Sequence, residues 1–533
     1  MVETENQQTE TRGITVKRIV NPIAAVAFAT TSTFAIAQTP PNVLVVGQIA
    51  EPQSLDPHAV TAVNDFRILV NLYDGLVRYA DGTLEVEPSL AESWDISDDG
   101  TVYKFQLRDD VEFHDGTPFD AEAVVFNFER MLDEDHPYYD TGPFPLAFYF
   151  SQIDTVEATA EHEVTFTLNE PFAPFLSNLA YPTGLLISPQ AVREHGENIG
   201  RHPVGTGAYQ FEEWESNSRV VLTRNNDYWD GAPDLEAVVF RPITDANTRV
   251  AEMRSGGIDM MVEVPPDNVS MFKEDPMFQV YEQAGPHVWF VILNMRNELL
   301  QDKRVRQALN YAVDKEALVN DVLQGTATVA DSPIAPAFNW AYNDELDGYP
   351  YNPDRARELL EEAGAVGEEL TFYVTEGGSG MLDPINMGTA IQANLESVGL
   401  DISIETYEWN TFLGRVNAGL EGEADMAEMA WMTNDPDTLP FLALRSDAMP
   451  DEGGFNSGYY SNADVDKLLE QARTSTSQEE RARLYKEAQA IIVEDAPWIF
   501  VANWQQNAVA TDRVENFHLQ PSFLLQLRDV RKP

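Results

Sequence analysis

The sequence predicts an α/β fold with more than one core, and three observations carry that reading. Short stretches alternate apolar and polar residues with the two-residue period of a strand. Between them lie helices with clear start and stop signals. No repeat of 20 to 50 residues and no long low-complexity linker interrupts the pattern in a chain of 533 residues that is 43% hydrophobic.

Two strands read cleanly. In 102–108 the residues Tyr103, Phe105 and Leu107 share one face, and in 164–168 Val164, Phe166 and Leu168 do the same. The turn Gly205-Thr206-Gly207 comes next. A phosphate loop would continue into a helix opened by Lys and Ser or Thr. Here Ala208-Tyr209-Gln210-Phe211 follows, which alternates like a strand, so the glycines are expected to bend the chain and hold no phosphate. In 351–364, Asn352 suits the N-cap, Pro353 the first helical position and Gly364 a left-handed C-terminal cap. Ser477 with Glu480 forms a capping box before a helix whose Ala482, Tyr485, Ala488 and Ile492 make one buried stripe.

The segment 425–442, DMAEMAWMTNDPDTLPFL, has two readings. It is a buried strand with gap-filling methionines that ends in an Asx-type turn. Alternatively it delivers an aromatic wall and carboxylates to the rim of a pocket.

Charge restricts the partners. Lys and Arg number 34 against 88 Asp and Glu, a formal charge of −54 spread along the chain. Such a surface repels nucleic acid and anionic lipid. It also repels itself at low salt, which suggests a protein that works in brine, the alternative being an ordinary acidic protein. The melting temperature is expected to rise from dilute buffer to about 2 M KCl, where the screening length falls below roughly 3 Å. A flat or falling trend would speak against the brine reading.

The N-terminus reads as a secretory signal over residues 1–37. Lys17 and Arg18 precede an apolar small-residue run that ends in Ala35-Ile36-Ala37, so the mature chain would start at Gln38. A buried N-terminal helix is the alternative, because Asn21-Pro22 interrupts the run. No later stretch approaches the ~20 apolar residues of a membrane span, so the mature chain is expected to be soluble. The chain has no cysteine, which excludes disulfides, thiol catalysis and a lipid-anchored N-terminal cysteine.

Catalytic and metal motifs are scarce. The eight histidines show no paired-ligand spacing. Asp98-Asp99-Gly100 lacks the alternating oxygens of a calcium loop, and Gly377-Gly378-Ser379-Gly380 lacks the strand–serine–helix context of a nucleophile elbow. No cofactor is indicated.

The runs EPQSLDPHAV and NLYDGLVRYADGTLEVEPSLAESWDISDDGTVYKFQLRDDVEFHDGTPFDAEAVVF resemble the extracellular solute-binding proteins of family 5. These are the periplasmic dipeptide-, oligopeptide-, glutathione- and nickel-binding proteins of ABC importers. The likeness continues through HPVGTGAY, DKRVRQALNYAVDKEALV and EERARLYKEAQAIIVEDAPW, and covers nearly all of the chain after Gln38. Two departures stand in a packing signature. Where the family usually shows G-x-x-W-x-D-G this chain has Asp110, Phe113 and Asp115-Gly116, and its A-x-D-V is Ala121-Glu122-Ala123-Val124.

The resemblance implies a two-lobed periplasmic binding protein clamshell of type II, of the large class with an extra subdomain inserted in lobe I. Lobe I would be 38–73 with 188–288 and 504–533, the inserted subdomain 74–187 and lobe II 289–503, with hinges near Phe290 and Ala502. It implies a monomeric, non-catalytic periplasmic protein, free of a lipid anchor, that captures a peptide or similar small polar solute and delivers it to a membrane permease. A secreted hydrolase on a related scaffold and a ligand-presenting subunit for a chemoreceptor are the alternatives. Family positions imply ligand contacts at Thr61 and Val63, Tyr138, Trp409 and Trp431, and Arg415 lies one residue off a ligand-facing arginine. Three residues past that tryptophan, peptide binders place an aspartate for the ligand's ammonium group. This chain has Asn434 and then Asp435, and it has Glu428 where relatives carry arginine. Either a short deletion makes Asp435, with Asn434, the anchor of a cationic or hydrogen-bond-donating end, or that charge has been lost.

Overall fold

A computed structural model describes residues 39–533, apart from Ser379, Glu421 and Gly422 and the side chains of Asp267 and Asn410. The expected signal segment and Gln38 lie outside the described residues.

The backbone of the fold is one 12-stranded mixed sheet. Its first half is built around Val43–Gln48, which pairs in parallel with Ala237–Pro242 and with Met260–Val262. Arg219–Arg224 and Tyr209–Glu215 extend that half as an antiparallel edge. The second half runs from Asp401–Tyr407 through Glu369–Thr375 and Met426–Met432 to His287–Leu293. A single 14-residue strand, Trp498–Thr511, joins the halves: Trp498–Ala502 pairs with His287–Leu293, and Ala508–Ala510 with Met260–Val262. The chain crosses between the halves a second time at Gly285-Pro286, between the strands Phe278–Ala284 and His287–Leu293. A strand buried on both faces reads as continuous apolar sequence, and all seven residues of His287–Leu293 are buried.

Each half has its own core. One gathers Leu44, Phe66, Tyr209, Phe240 and Leu525, whereas the other half is packed on its two faces by separate clusters, around Trp289 and around the Phe290–Trp498 stack at 4.0 Å. A third body stands on the first half: a four-stranded antiparallel sheet in the order Ala91–Ile96, Val102–Leu107, Glu163–Leu168, Ile153–Ala160. Tyr103, Phe105, Leu107, Val164, Phe166 and Leu168 all face its core, so the two-residue period held on both strands. The helix Ala121–Leu132 covers that core and is capped by Asp120, whose carboxylate accepts from Ala123 N–H at 2.9 Å. Buried Arg130 on this helix reaches Asp56 at 2.5 Å. His58 Nε2 donates to Leu185 O at 2.9 Å, and burial pushes its imidazole down to about 4. The SLDPH stretch thereby ties the inserted body to the first half.

The caps fall where the sequence put them. Asn352 accepts from Arg355 N–H at 3.0 Å, and Gly364 is left-handed with φ 70°. Ser477 accepts from Glu480 N–H at 3.3 Å, but the reciprocal arm is missing because the Glu480 carboxylate pairs with Arg483. On that helix Tyr485, Ala488 and Ile492 are buried and Ala482 is half-buried, while Arg481 and Gln489 are buried as well. Gly205-Thr206-Gly207 leads into the strand Tyr209–Glu215 as expected. A Cβ on Gly207 would stand 2.5 Å from the Leu72 carbonyl carbon, and one on Gly205 would overlap Leu72 and Tyr73. Close approach of two backbones, not an unusual φ, demands both glycines.

Candidate functional site

A cavity of about 700 Å³ opens between the two halves of the sheet. Thr61–Asn64, Glu263 and Trp504 line one side; Trp409, Met429–Met432 and Phe455 line the other. That size and mixture, apolar walls with a few polar groups, are typical of small-molecule sites. A second recess of about 440 Å³ adjoins it and shares Glu263, Met381, Leu382 and Trp504.

Four residues expected from the sequence meet here. Thr61 and Val63 stand at the start of the helix Val63–Leu72. Trp409 opens the helix Trp409–Asn417, where a spacing of four brings Leu413 and Asn417 onto the same cavity-facing side. Trp431 is the penultimate residue of the strand Met426–Met432 and packs edge-on to Phe455 at 5.3 Å. The first reading of the 425–442 segment holds for its strand, which is buried from Met426 to Ala430, and the second for the two half-buried residues at its end.

The other four are not in the lining. Tyr138 is half-buried against the first core and packs on Phe126 at 5.8 Å. Arg415 lies two residues past Leu413, turned off the cavity side, and pairs with Glu423 at 2.7 Å above the Tyr407 ring. Asn434 and Asp435 are buried at a seam between the inserted body and the second half. Asn434 donates to Asn178 Oδ1 at 2.7 Å. Asp435 accepts from Arg481 Nη2 at 2.6 Å, from Ser177 Oγ at 2.9 Å and from Asp437 N–H at 2.9 Å. With both oxygens engaged and 1% of the residue exposed, its charge is spent on the fold, contrary to the anchor expected from the sequence. Glu428 also turns away from the cavity: it is buried, accepts from Thr375 N–H at 2.8 Å, and burial raises its carboxyl well above the usual range.

Several lining residues escaped the sequence reading. His287 is buried at the crossing, where Nε2 bonds Gly380 O at 2.9 Å and Nδ1 accepts from Trp504 N–H at 3.2 Å. Burial pushes it down to about 4, so it is neutral at physiological pH. The glycine run that fits no nucleophile elbow has a packing role: a Cβ on Gly378 would overlap the Trp409 ring, and Gly380 is left-handed with φ 74°. Glu263 stands at the end of Met260–Val262 with φ 54°, a conformation that costs a non-glycine residue roughly 1 kcal/mol or more. Asn507 and Arg249 hold it there. Asn507 O accepts from Glu263 N–H at 3.2 Å, and Arg249 Nη2 donates to Glu263 O at 3.3 Å.

Behind the Thr61–Asn64 wall, Asp65 is fully buried, and burial pushes its carboxyl up to about 7. The folded state thus binds this proton more tightly than the unfolded chain, so its stabilising share is complete below about pH 4 and is lost as pH rises through 7. Asp65→Asn is expected to raise the melting temperature at pH 8 and to leave it nearly unchanged at pH 4. An aspartate held at about 7 in the folded state, against roughly 4 in the unfolded chain, makes the gain at pH 8 on the order of 4 kcal/mol. Thermal denaturation of both proteins across pH 4–8 checks it.

Among the described residues no group of three or more His, Cys, Asp or Glu is set to hold a metal ion, and no helix is long and apolar enough to cross a membrane.

Two half-sheets joined by two crossings, with a solute-sized cavity between them, define a two-lobed binding protein of the type II periplasmic class. The chain belongs to the bacterial extracellular solute-binding proteins of family 5, whose middle-region model matches residues 85–449. As such it is the solute-binding component of an ABC importer. It is 32% identical over 505 residues to di/tripeptide-binding protein 2 of Pseudomonas aeruginosa, covering 91% of this chain and 94% of that one. With heme-binding protein A of Haemophilus influenzae it shares 35% over 470 residues, 84% and 85% of the two chains. The solved structure of HbpA2 from Haemophilus parasuis superposes with a TM-score of 0.86 at 32% identity, covering 92% of this chain and all of that one. DppA from Helicobacter pylori in complex with peptide STSA gives 0.73 at 31%, over 92% and 98%.

Proposed function

We propose that this protein captures a short peptide or a similar small solute in the cavity between its lobes and presents it, in the periplasm, to an ABC permease. The observation that carries this reading is the ~700 Å³ cavity with walls on both halves of the sheet. Relatives named for di/tripeptides and dipeptides support the peptide class, and one named for heme widens it to other solutes of that bulk. Thr61, Val63, Trp409 and Trp431 contact the ligand; the bonds of Asn434 and Asp435 to Asn178 and Ser177 of the inserted body span the two moving bodies and break when these part.

The moving bodies are 38–73 with 188–288 and 504–533, carrying the insertion 74–187, against 289–503. Ligand contacts made to both bodies at once exist only in the closed form and shift the equilibrium toward it. The protein acts as a monomer without turnover, and export removes residues 1–37. Native mass spectrometry of protein purified without refolding tests the reading. A co-purifying solute of a few hundred daltons that leaves on denaturation supports it. Absence of any such solute, together with no thermal shift across a panel of di- and tripeptides, contradicts it.

A further inference from the structure

Resting on that reading, we infer that Glu263 is the residue that receives the ligand's cationic end, so that the preferred solute bears an ammonium or guanidinium group on an apolar body. Among the described residues lining the main cavity, Glu263 is the one with a formal charge. Its Oε1 is held by buried Arg67 at 2.7 Å, and Oε2 has no partner among the described residues. The Glu263 side chain is 24% exposed, so that oxygen is open to a donor.

The geometry around it suits a cation. Trp409, Trp431, Trp504 and Phe455 supply aromatic faces on the cavity, the surface that attracts ammonium and guanidinium groups. Met381, Met429 and Met432 add polarizable apolar area. Groups that would answer a ligand anion make most of their bonds within the fold, although buried Arg249 Nε has no hydrogen-bond partner among the described residues. His287 is neutral with both nitrogens bonded. Arg249, in the adjoining recess, gives its Nη atoms to the carbonyls of Ile243, Thr244 and Glu263. Arg67 gives Nε to Phe523 O and Nη1 to Glu263.

The left-handed backbone fixes the aim of this carboxylate. Asn507 clamps the next residue too: Oδ1 accepts from Val264 N–H at 2.7 Å and Nδ2 donates to Val264 O at 3.3 Å. A residue held so firmly in a conformation that favours glycine is placed for its side chain.

The test is calorimetric titration of three probes: leucyl-leucinamide (a cation), leucyl-leucine (a zwitterion) and N-acetyl-leucyl-leucine (an anion). The expected order of affinity is amide, zwitterion, anion. Glu263→Gln should weaken the amide at least tenfold, leave the acetylated probe within about twofold, and so flatten the order. If loss of the partner of Arg67 unfolds Glu263→Gln, the paired variant Arg67→Met with Glu263→Gln removes the buried cation as well and is expected to show the same flattened order. An unchanged order in a folded variant, tightest binding of the acetylated probe, or no binding of any probe by the wild type overturns the inference. Trp431→Ala separates the two levels. If it abolishes binding while Glu263→Gln does not, the cavity holds the ligand and Glu263 is not its anchor; if neither variant matters, the cavity reading falls too.

Discussion

Asp435→Asn is expected to unfold the unliganded protein at a markedly lower temperature, with a loss on the order of 3–5 kcal/mol. Arg481 is 8% exposed and its pair with Asp435 Oδ1 is 2.6 Å long, so the substitution removes the countercharge of a buried guanidinium; the amide oxygen keeps the place of Oδ1 toward Arg481 and Asp437 N–H, and the N–H₂ falls opposite Ser177. The damage extends to the seam, because Asp435 also accepts from Ser177 of the inserted body. Asp437 would keep Arg473 at 2.8 Å. It is a poor substitute for Asp435, since burial already pushes its own carboxyl up to about 6. Asp435→Asn combined with Arg481→Met removes both charges and should recover a large part of the loss. Differential scanning calorimetry of the three apo proteins measures this. An unchanged melting temperature in the single variant, with weakened binding of a cationic probe, would return Asp435 to the ligand.

Trp431→Ala is expected to act the other way, with a loss of binding of about 2 kcal/mol or more and a small change in apo stability. The Trp431 ring is half-buried on the cavity side, and its main aromatic contact is Phe455, itself 39% exposed. Truncation removes a ligand wall and leaves the core strand Met426–Ala430 in place. A core tryptophan would instead cost ~3–5 kcal/mol of stability. Trp498, stacked on Phe290 inside the second lobe, is that case and serves as the control.

What could be read from the sequence was local. The two-residue periods at 102–107 and 163–168 survive folding because each strand has one face on a core. Asn352, Gly364 and Ser477 cap helices through bonds that span a few residues, and such bonds are written in short sequence windows. Trp409 and Trp431 came from family position, and both reached the cavity.

Asp435 shows the limit. Its partners Arg481 and Ser177 are 46 and 258 residues away, so nothing near the NDPD turn indicates that the charge is already taken. Glu263, His287 and Trp504 were invisible for the same reason. They meet only where the chain crosses between lobes, at the end of a three-residue strand, after Gly285-Pro286 and in the middle of the long strand Trp498–Thr511. Arg415 failed differently. Its family position was one residue off, and on a helix one residue turns a side chain by about 100°.

Capture between two lobes makes one demand that binding to a single face does not: both walls must become protected together. Hydrogen–deuterium exchange of the protein, with and without the solute recovered from it, measures this directly. Slowed exchange is expected on ligand addition at residues 61–66 on one lobe and at 409–417 and 429–432 on the other. Protection confined to one lobe, or centred on the seam at 173–178 and 434–437 with the cavity walls unchanged, would contradict it.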